Sequence, residues 1–134
     1  MFKQARVAAM VPAQDLERAQ AFYRDKLGLT PSQDMGGGLV MYQQAGGTGF
    51  LLYLTGGKAS GTHTQLVFEV QDVEQAVKDL KAKGVRLEEY DTPALKTVNG
   101  VAEIGGAKAA WFKDSEGNLI GLAPPVPVAA KARS

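Results

Sequence analysis

The sequence predicts an α+β fold in which two βαβββ modules follow one another along the chain. The stretch Gln14–Ala19 (QDLERA) returns 57 positions later as Gln71–Ala76 (QDVEQA). Each copy follows an apolar, strand-like run and opens an amphipathic helix that ends at a glycine, Gly28 or Gly84. Short apolar segments separated by turn residues come after each helix, which is the pattern of antiparallel strands.

The first module begins with an apolar strand within residues 3–12, and Pro12 is expected to end it because proline cannot donate to a central ladder. Asp15 suits the N-cap of the helix that follows. The apolar side chains of this helix share one stripe, which predicts a buried face made of Leu16, Ala19, Tyr23 and Leu27. Between Thr30 and Gly57 lie short strands cut by glycines, among them LVMYQQ and FLLYLT.

The second module follows a polar linker and repeats the plan. Its first strand is TQLVFEV, and Asp72 with Gln75 matches a capping box at the start of its helix. Later strands are expected at VRLEEY, AKAAWFK and LIGLA, and the acidic turn DSEGN is interpreted as a hairpin turn because it is far shorter than a calcium-binding loop. We expect one domain with these parts: module one over about 3–57, linker 58–64, module two over about 65–125 and a loose tail over 126–134.

Composition narrows the available chemistry. With 134 residues, 45% of them hydrophobic and 22% charged, the chain can bury a core of its own. A net charge of +1 from interspersed lysines and acids predicts neither a nucleic-acid nor a membrane partner, and the lack of a signal-like or bilayer-length apolar run predicts a cytoplasmic location. Cysteine is absent from the sequence, which excludes disulfides, thiolate nucleophiles and zinc–thiolate sites.

Three segments carry a wider resemblance: VPAQDLERAQAFYRDKLGL, VFEVQDVEQAVKDLKAKGV and FKDSEGNLIGL. In these segments, and over nearly all of residues 5–125, the chain resembles the vicinal oxygen chelate superfamily, which includes glyoxalase I, bleomycin-resistance proteins, fosfomycin-resistance enzymes and extradiol dioxygenases. The resemblance implies that the sheets of the two modules form a cupped half-barrel with the helices outside. It also implies a homodimer.

Enzymes of this superfamily place metal ligands at four strand positions that face the cup. The resemblance puts these positions at Ala8, Tyr53, Gln65 and Gly121, of which only Gln65 is even a weak ligand. A catalytic divalent ion usually takes three or more histidine or carboxylate side chains, and the sequence holds a single histidine. We therefore predict that the chain holds no catalytic metal at the usual place and needs no cofactor.

The candidate ligand-binding residues are those expected to face the cup: Met10, Tyr42, Tyr53, His63, Gln65 and Trp111. Tyr53 either hydrogen-bonds a ligand or packs in the core. His63 shares a strand face with Gln65, so it is a pocket base, a stand-in metal ligand or a solvent-facing linker residue. Strand alternation allows only one of Trp111 and Phe112 to face the cavity, and the sequence does not decide between them.

The sequence favours a metal-free protein of the bleomycin-resistance kind that binds or sequesters an aromatic or hydrophobic small molecule. An aromatic cup with few ionisable groups suits a flat ligand better than acid–base chemistry. The alternative is a glyoxalase-like lyase, isomerase or dioxygenase with a displaced metal site or no metal, acting through Tyr53, Gln65, His63 or Glu69. A third reading is a regulatory module that works through its dimer surface.

Overall fold

The computed structural model describes residues 1–125, and the predicted tail, residues 126–134, lies outside them. The first module consists of β1 (Ala9–Ala13), α1 (Leu16–Leu27), β2 (Gln33–Gly36), β3 (Leu39–Gln43) and β4 (Gly49–Leu54). The second consists of β5 (Thr64–Glu69), α2 (Val73–Ala82), β6 (Thr97–Val98), β7 (Val101–Ile104), β8 (Ala107–Lys113) and β9 (Leu119–Ala123). The predicted α+β class and the two βαβββ modules are confirmed, with the two-residue β6 as an addition to the second.

Each module forms one sheet, and the two sheets share a strand order. The first runs β1-β4-β3-β2 and the second β5-β9-β8-β7-β6, with β1 parallel to β4 and β5 parallel to β9. Strands β1 and β5 are therefore matching edge strands. These edges adjoin, since the Gln65 side-chain Nε2 donates to the Met10 carbonyl at 3.0 Å.

Two strand predictions need correction. Strand β1 begins only at Ala9 and continues through Pro12 to Ala13. Pro12 does not end it because β1 is an edge strand, and a proline whose nitrogen faces the unpaired side removes no hydrogen bond of the sheet. The segment VRLEEY forms no strand and makes only an isolated bridge from Leu87 to Phe112. Strands β6 and β7 form instead further on, around an Asn99–Gly100 turn whose φ angles of 54° and 84° are those of a two-residue hairpin.

Both helices begin and end as the sequence predicts. Asp15 and Asp72 are the N-caps, and each carboxylate accepts a 3.0 Å hydrogen bond from the backbone N–H three residues on. The left-handed Gly28, with φ of 71°, closes α1. These caps fix where each helix leaves its sheet.

The helices cover one side of each sheet and bury a continuous core. The side chains that β1, β3 and β4 bury beneath α1 include Val11, Val40, Tyr42, Phe50 and Leu52. Those that β8 and β9 bury beneath α2 include Ala110, Phe112, Ile120 and Leu122. Side chains shared by both clusters join the two cores: Phe22, Leu27, Leu66 and Phe68.

The acidic DSEGN segment is a turn, as predicted, but it is not a solvated one. It connects β8 to β9 and folds over the start of α1, so that Glu116 has a side chain only 1% exposed. The Glu116 carboxylate accepts hydrogen bonds from the backbone N–H groups of Gln14 and Asp15, at 2.9 and 3.0 Å, and from the Arg18 guanidinium. The second module thus accepts from two backbone donors of the first, at the N-cap Asp15 and the residue before it.

Asp114, in the same turn, is a second buried acid. It accepts from the Tyr23 hydroxyl at 2.7 Å and from the Asn118 side chain at 2.9 Å, and Asn118 also donates to the Pro12 carbonyl. The corresponding turn of the first module, between β3 and β4, is a glycine-rich 3₁₀ turn over Ala45–Gly47 with no acid. The two modules therefore differ in the chemistry of this turn.

No helix within residues 1–125 combines the length and the apolar character that a membrane crossing requires.

Candidate functional site

The side of each sheet that faces away from the helices carries mostly apolar residues, and we call it the open face. Its members alternate along the strands with the buried core residues. They include Met10, Met41, Leu51 and Tyr53 in the first sheet and Gln65, Val67, Trp111 and Gly121 in the second, and alternation adds the charged Glu69 and Lys113 at the ends of β5 and β8. Met10 is 43% exposed and Val67 47%, which leaves this apolar surface accessible.

Four of the six predicted ligand-binding residues lie on the open face: Met10, Tyr53, Gln65 and Trp111. Tyr42 does not, which corrects the expectation that it shares the cavity. It is only 1% exposed on the helix side of β3, where its ring stacks on Phe50 with 4.7 Å between centroids. Partial screening from water raises the pKa of its phenol to about 12, so this group stays neutral.

His63 also lies outside the open face. It precedes β5, is exposed, and its Nδ1 lies 3.0 Å from the hydroxyl of Ser60 in the same linker. The structure places His63 as an exposed residue of the linker. A proton-transfer role on the open face is therefore not available to it.

Strand β8 decides between the two aromatic candidates. Phe112 is 1% exposed in the core beneath α2, whereas Trp111 is half-buried on the open face. The indole N–H of Trp111 donates to the hydroxyl of Thr64 at 3.2 Å, and the Tyr90 ring stands perpendicular to the indole with 5.6 Å between centroids. Sequence reasoning missed Thr64 and Tyr90, because Thr64 only begins a strand and Tyr90 ends the segment VRLEEY, which is predicted as a strand and forms none.

The strand pairing also corrects one of the four positions equivalent to metal ligands. Gly121 pairs with Val67, and Met10, the residue 57 positions before Val67, pairs with Leu51. Leu51 is therefore the counterpart of Gly121 in the first module. Tyr53 lies two residues further along β4 and pairs with Pro12.

This donor set does not fit a divalent metal ion. The side chains of Ala8, Leu51 and Gly121 contain no donor atom, and the Gln65 amide nitrogen already donates to Met10. Metal sites in proteins draw on imidazole, thiolate and carboxylate groups. Within residues 1–125, no three histidine, cysteine, aspartate or glutamate side chains come together.

The place of a side chain at position 121 is taken by its neighbours. A Cβ atom there would lie 3.3 Å from the Val67 Cγ2 atom and 3.4 Å from both the Thr64 methyl group and the Trp111 indole nitrogen. Glycine at position 121 therefore leaves the space that the Trp111 indole occupies. Partial burial, and to a lesser degree the charge of Glu88, raises the pKa of Tyr90, so the aromatic group beside Trp111 is neutral as well.

Two clefts lie on the helix side of the molecule. One, of about 560 Å³, separates the end of α1 from α2 and has a largely apolar lining that includes Leu27, Phe68, Val70, Leu80, Phe112 and Leu122. The other, of about 670 Å³, lies between α2 and the β6–β7 hairpin and is lined by Lys78, Lys81, Lys96 and Lys108 together with Glu74 and Glu103. None of the six predicted ligand-binding residues lines either cleft.

Comparison with known proteins agrees with this architecture. A family model described as the Glyoxalase/Bleomycin resistance protein/Dioxygenase superfamily matches residues 5–122. No curated protein sequence gives a significant match.

Solved structures with the same fold include UcmS2, at 20% identity and a TM-score of 0.72 over 91% of this chain and 99% of that one. The fosfomycin resistance protein FosX from Listeria monocytogenes is 15% identical, with a TM-score of 0.67 over 92% and 94% of the two chains. A lactoylglutathione lyase from Agrobacterium tumefaciens is 22% identical, with a TM-score of 0.63 over 90% and 93%. At these identities the likeness shows a common fold and no common activity.

Proposed function

Because the chain belongs to the Glyoxalase/Bleomycin resistance protein/Dioxygenase superfamily, we propose that it is a metal-free binding member of that group. It holds an aromatic or other apolar small molecule on the open face and thereby sequesters it. One observation carries this proposal. The positions equivalent to metal ligands lack a suitable donor set, while the surface around them is apolar and accessible.

The chemistry of the open face supports binding rather than reaction. Met10 and Val67 expose apolar area whose transfer out of water favours association by roughly 25 cal/mol per Å². Methionine side chains adapt their shape to different ligands, which suits Met10 and Met41 to a binding surface. Tyr53 contributes a phenol that can orient a ligand through one hydrogen bond.

Acid–base chemistry finds limited support on the open face, where Glu69 at the end of β5 is an exposed carboxylate without a histidine beside it. His63 is the single histidine of the sequence, and it is exposed in the linker beside Ser60. Tyr90 has a raised pKa, so it is a poor proton acceptor near neutral pH. We therefore favour sequestration over a lyase, isomerase or dioxygenase activity.

Two copies of the chain associate in this proposal, as a homodimer in the cytoplasm. Exposed apolar side chains lie on the outer edge strands of the sheets, with Met35 on β2 and Val98 on β6. Unpaired strand edges and exposed apolar surface both favour association. Sedimentation should give a dimer at micromolar concentration, and a monomer there would contradict this part of the proposal.

Native mass spectrometry and elemental analysis of protein purified without added metal test the binding proposal. We expect no stoichiometric metal. We also expect a bound, intact organic molecule, either one carried through purification or an added neutral naphthalene alcohol. The matched variants are Val67→Asp and Leu54→Asp, since both side chains are about half-exposed but only Val67 lies on the open face. Val67→Asp should abolish uptake and Leu54→Asp should not.

A tightly held divalent ion would contradict the proposal and turn the search to lyase and dioxygenase assays. So would equal loss of uptake in Val67→Asp and Leu54→Asp, because binding of the ligand would then not depend on the open face.

A further inference from the structure

The Trp111 indole lies across a neighbouring strand of the second sheet. Trp111 is on β8 and Thr64 is on β5, and β9 lies between these strands. The 3.2 Å hydrogen bond from the indole nitrogen to the Thr64 hydroxyl therefore requires the ring to reach over β9. It does so above Gly121, whose missing side chain provides the space.

Small neighbours leave part of this ring uncovered. Ala109 lies two residues before Trp111 on the same face of β8, and Gly121 is its partner across the ladder. Neither has a side chain that can cover an indole. Trp111 is accordingly only half-buried, and its remaining exposed area belongs to the open face.

The Tyr90 ring packs perpendicular to the Trp111 indole. The two rings meet at 89° with 5.6 Å between centroids. The Tyr90 backbone is held on both sides by Thr97, because its N–H donates to the Thr97 hydroxyl and its carbonyl accepts from the Thr97 N–H, each at 2.8 Å. A further 2.8 Å bond from the Glu88 N–H to the Trp111 carbonyl ties this segment to β8.

We infer that Trp111 and Tyr90 form an aromatic corner that selects a planar aromatic ring over a saturated ring of similar size. A flat ring stacks on the exposed part of the indole and turns its edge toward the phenol, which are the favourable arrangements for aromatic pairs. The fixed positions of both rings reduce the ordering that binding would otherwise require. This inference rests on the proposed function and names the ligand class for the same face.

A matched pair of neutral probes tests the inference: 2-naphthalenemethanol and its fully saturated analogue, decahydro-2-naphthalenemethanol. Equilibrium dialysis gives the Kd of each, and the fluorescence of Trp111, the single tryptophan of the sequence, reports contact at the corner. We expect the aromatic alcohol to bind about three- to tenfold more tightly than the saturated one. It should also change the emission of Trp111.

Variants then assign the preference to the corner. Tyr90→Leu and Trp111→Leu should each bring the two Kd values to within about twofold of each other. Tyr53→Leu removes a phenol that can bond the hydroxyl of either alcohol, so it should raise both Kd values alike and leave their ratio unchanged. Thr64→Val, which removes the acceptor of the indole N–H at nearly constant volume, should weaken the preference even if Trp111→Leu does not fold.

The outcomes separate the inference from the function it rests on. Equal affinities in the unmodified protein would overturn the corner and leave a general apolar binding protein. A preference that Tyr53→Leu abolishes and Tyr90→Leu does not would also overturn the corner. Failure of both alcohols to bind would remove the proposed function itself.

Discussion

The Arg18 Nε atom on α1 lies 2.7 Å from a carboxylate oxygen of Glu116 in the β8–β9 turn, so an ion pair joins the two modules across 98 positions of sequence. The carboxylate side of this pair is buried and the guanidinium side is about half-exposed. Glu116 accepts further bonds from two backbone N–H groups at the start of α1 and from the Ser115 hydroxyl.

Replacing Glu116 by glutamine should destabilise the fold by about 2 to 4 kcal/mol. The glutamine side chain has nearly the same volume as glutamate but lacks the negative charge that Arg18 and the backbone N–H groups of Gln14 and Asp15 stabilise. Its NH₂ group would also point at one of these donors, to which it cannot hydrogen-bond. Urea unfolding measures the change, with Glu103→Gln at an exposed position as the matched control. Equal stability of the two variants would mean that the buried ion pair contributes nothing.

Lowering the pH should remove the contribution of the Glu116 carboxylate to the free energy of unfolding over a defined pH range. Burial of the Glu116 carboxylate acts to raise its pKa, but the hydrogen bonds from Arg18, Asp15, Ser115 and Gln14 outweigh it and lower the pKa to about 2, from an ordinary value of 4.5. Because the pKa of Glu116 is lower in the folded state than in the unfolded chain, its ionised carboxylate stabilises the fold. This contribution to the free energy of unfolding, on the order of 3 kcal/mol, is complete above the unfolded-state pKa and is lost as pH falls toward about 2.

The pH experiment compares the unfolding free energy of the unmodified protein with that of Glu116→Gln between pH 6 and pH 2. The gap should be constant above about pH 5 and narrow steadily below it. A gap that stayed constant down to pH 2 would show that Glu116 does not titrate as described.

Two buried tyrosines should respond oppositely to loss of their hydroxyl groups. The Tyr23 hydroxyl donates to Asp114 at 2.7 Å, whereas the buried Tyr42 hydroxyl has no hydrogen-bond partner within residues 1–125. Tyr23→Phe should cost about 1.5 to 3 kcal/mol, and Tyr42→Phe should be neutral or stabilising by up to about 1 kcal/mol. Thermal unfolding of the pair checks this, and a larger loss for Tyr42→Phe would contradict it.

A glutamate at position 121 should not create a metal site. Its Cβ would crowd Val67, Thr64 and Trp111 at 3.3 to 3.4 Å, so we expect a loss of about 1 to 3 kcal/mol and a changed Trp111 emission. The equivalent positions Ala8 and Leu51 still lack donor atoms. Elemental analysis after exposure to Zn²⁺, Ni²⁺ or Mn²⁺ should therefore find no stoichiometric ion, and a bound ion would show that the face can still assemble a site.

Features set by local chemistry were predictable from the sequence. Asp15 and Asp72 cap their helices because a capping bond joins residues three apart, and Gly28 ends α1 through its own φ angle. The internal repeat predicted the two modules because both copies must bury the same kind of helix face. The Asn99–Gly100 pair is an equally local signal, because this dipeptide is typical of a two-residue hairpin turn.

Features set by strand phase and register were not predictable. Alternation gives two equivalent phases, so only packing against the helices places Trp111 on the open face and Tyr42 beneath α1. The choice of Leu51 over Tyr53 as the counterpart of Gly121 depends on which residues pair across β1 and β4. Burial of Glu116 depends on a contact with the other module, which turn chemistry does not reveal.

The unequal turns make the dependence between the two modules one-sided. Glu116 in the β8–β9 turn pairs with Arg18 and accepts from the backbone N–H groups of Gln14 and Asp15, whereas the Ala45–Gly47 turn carries no acid that could do the same for α2. The entry into the first helix therefore depends on a carboxylate that the second module supplies, and the first module returns no such group. A separated first module would lack this carboxylate.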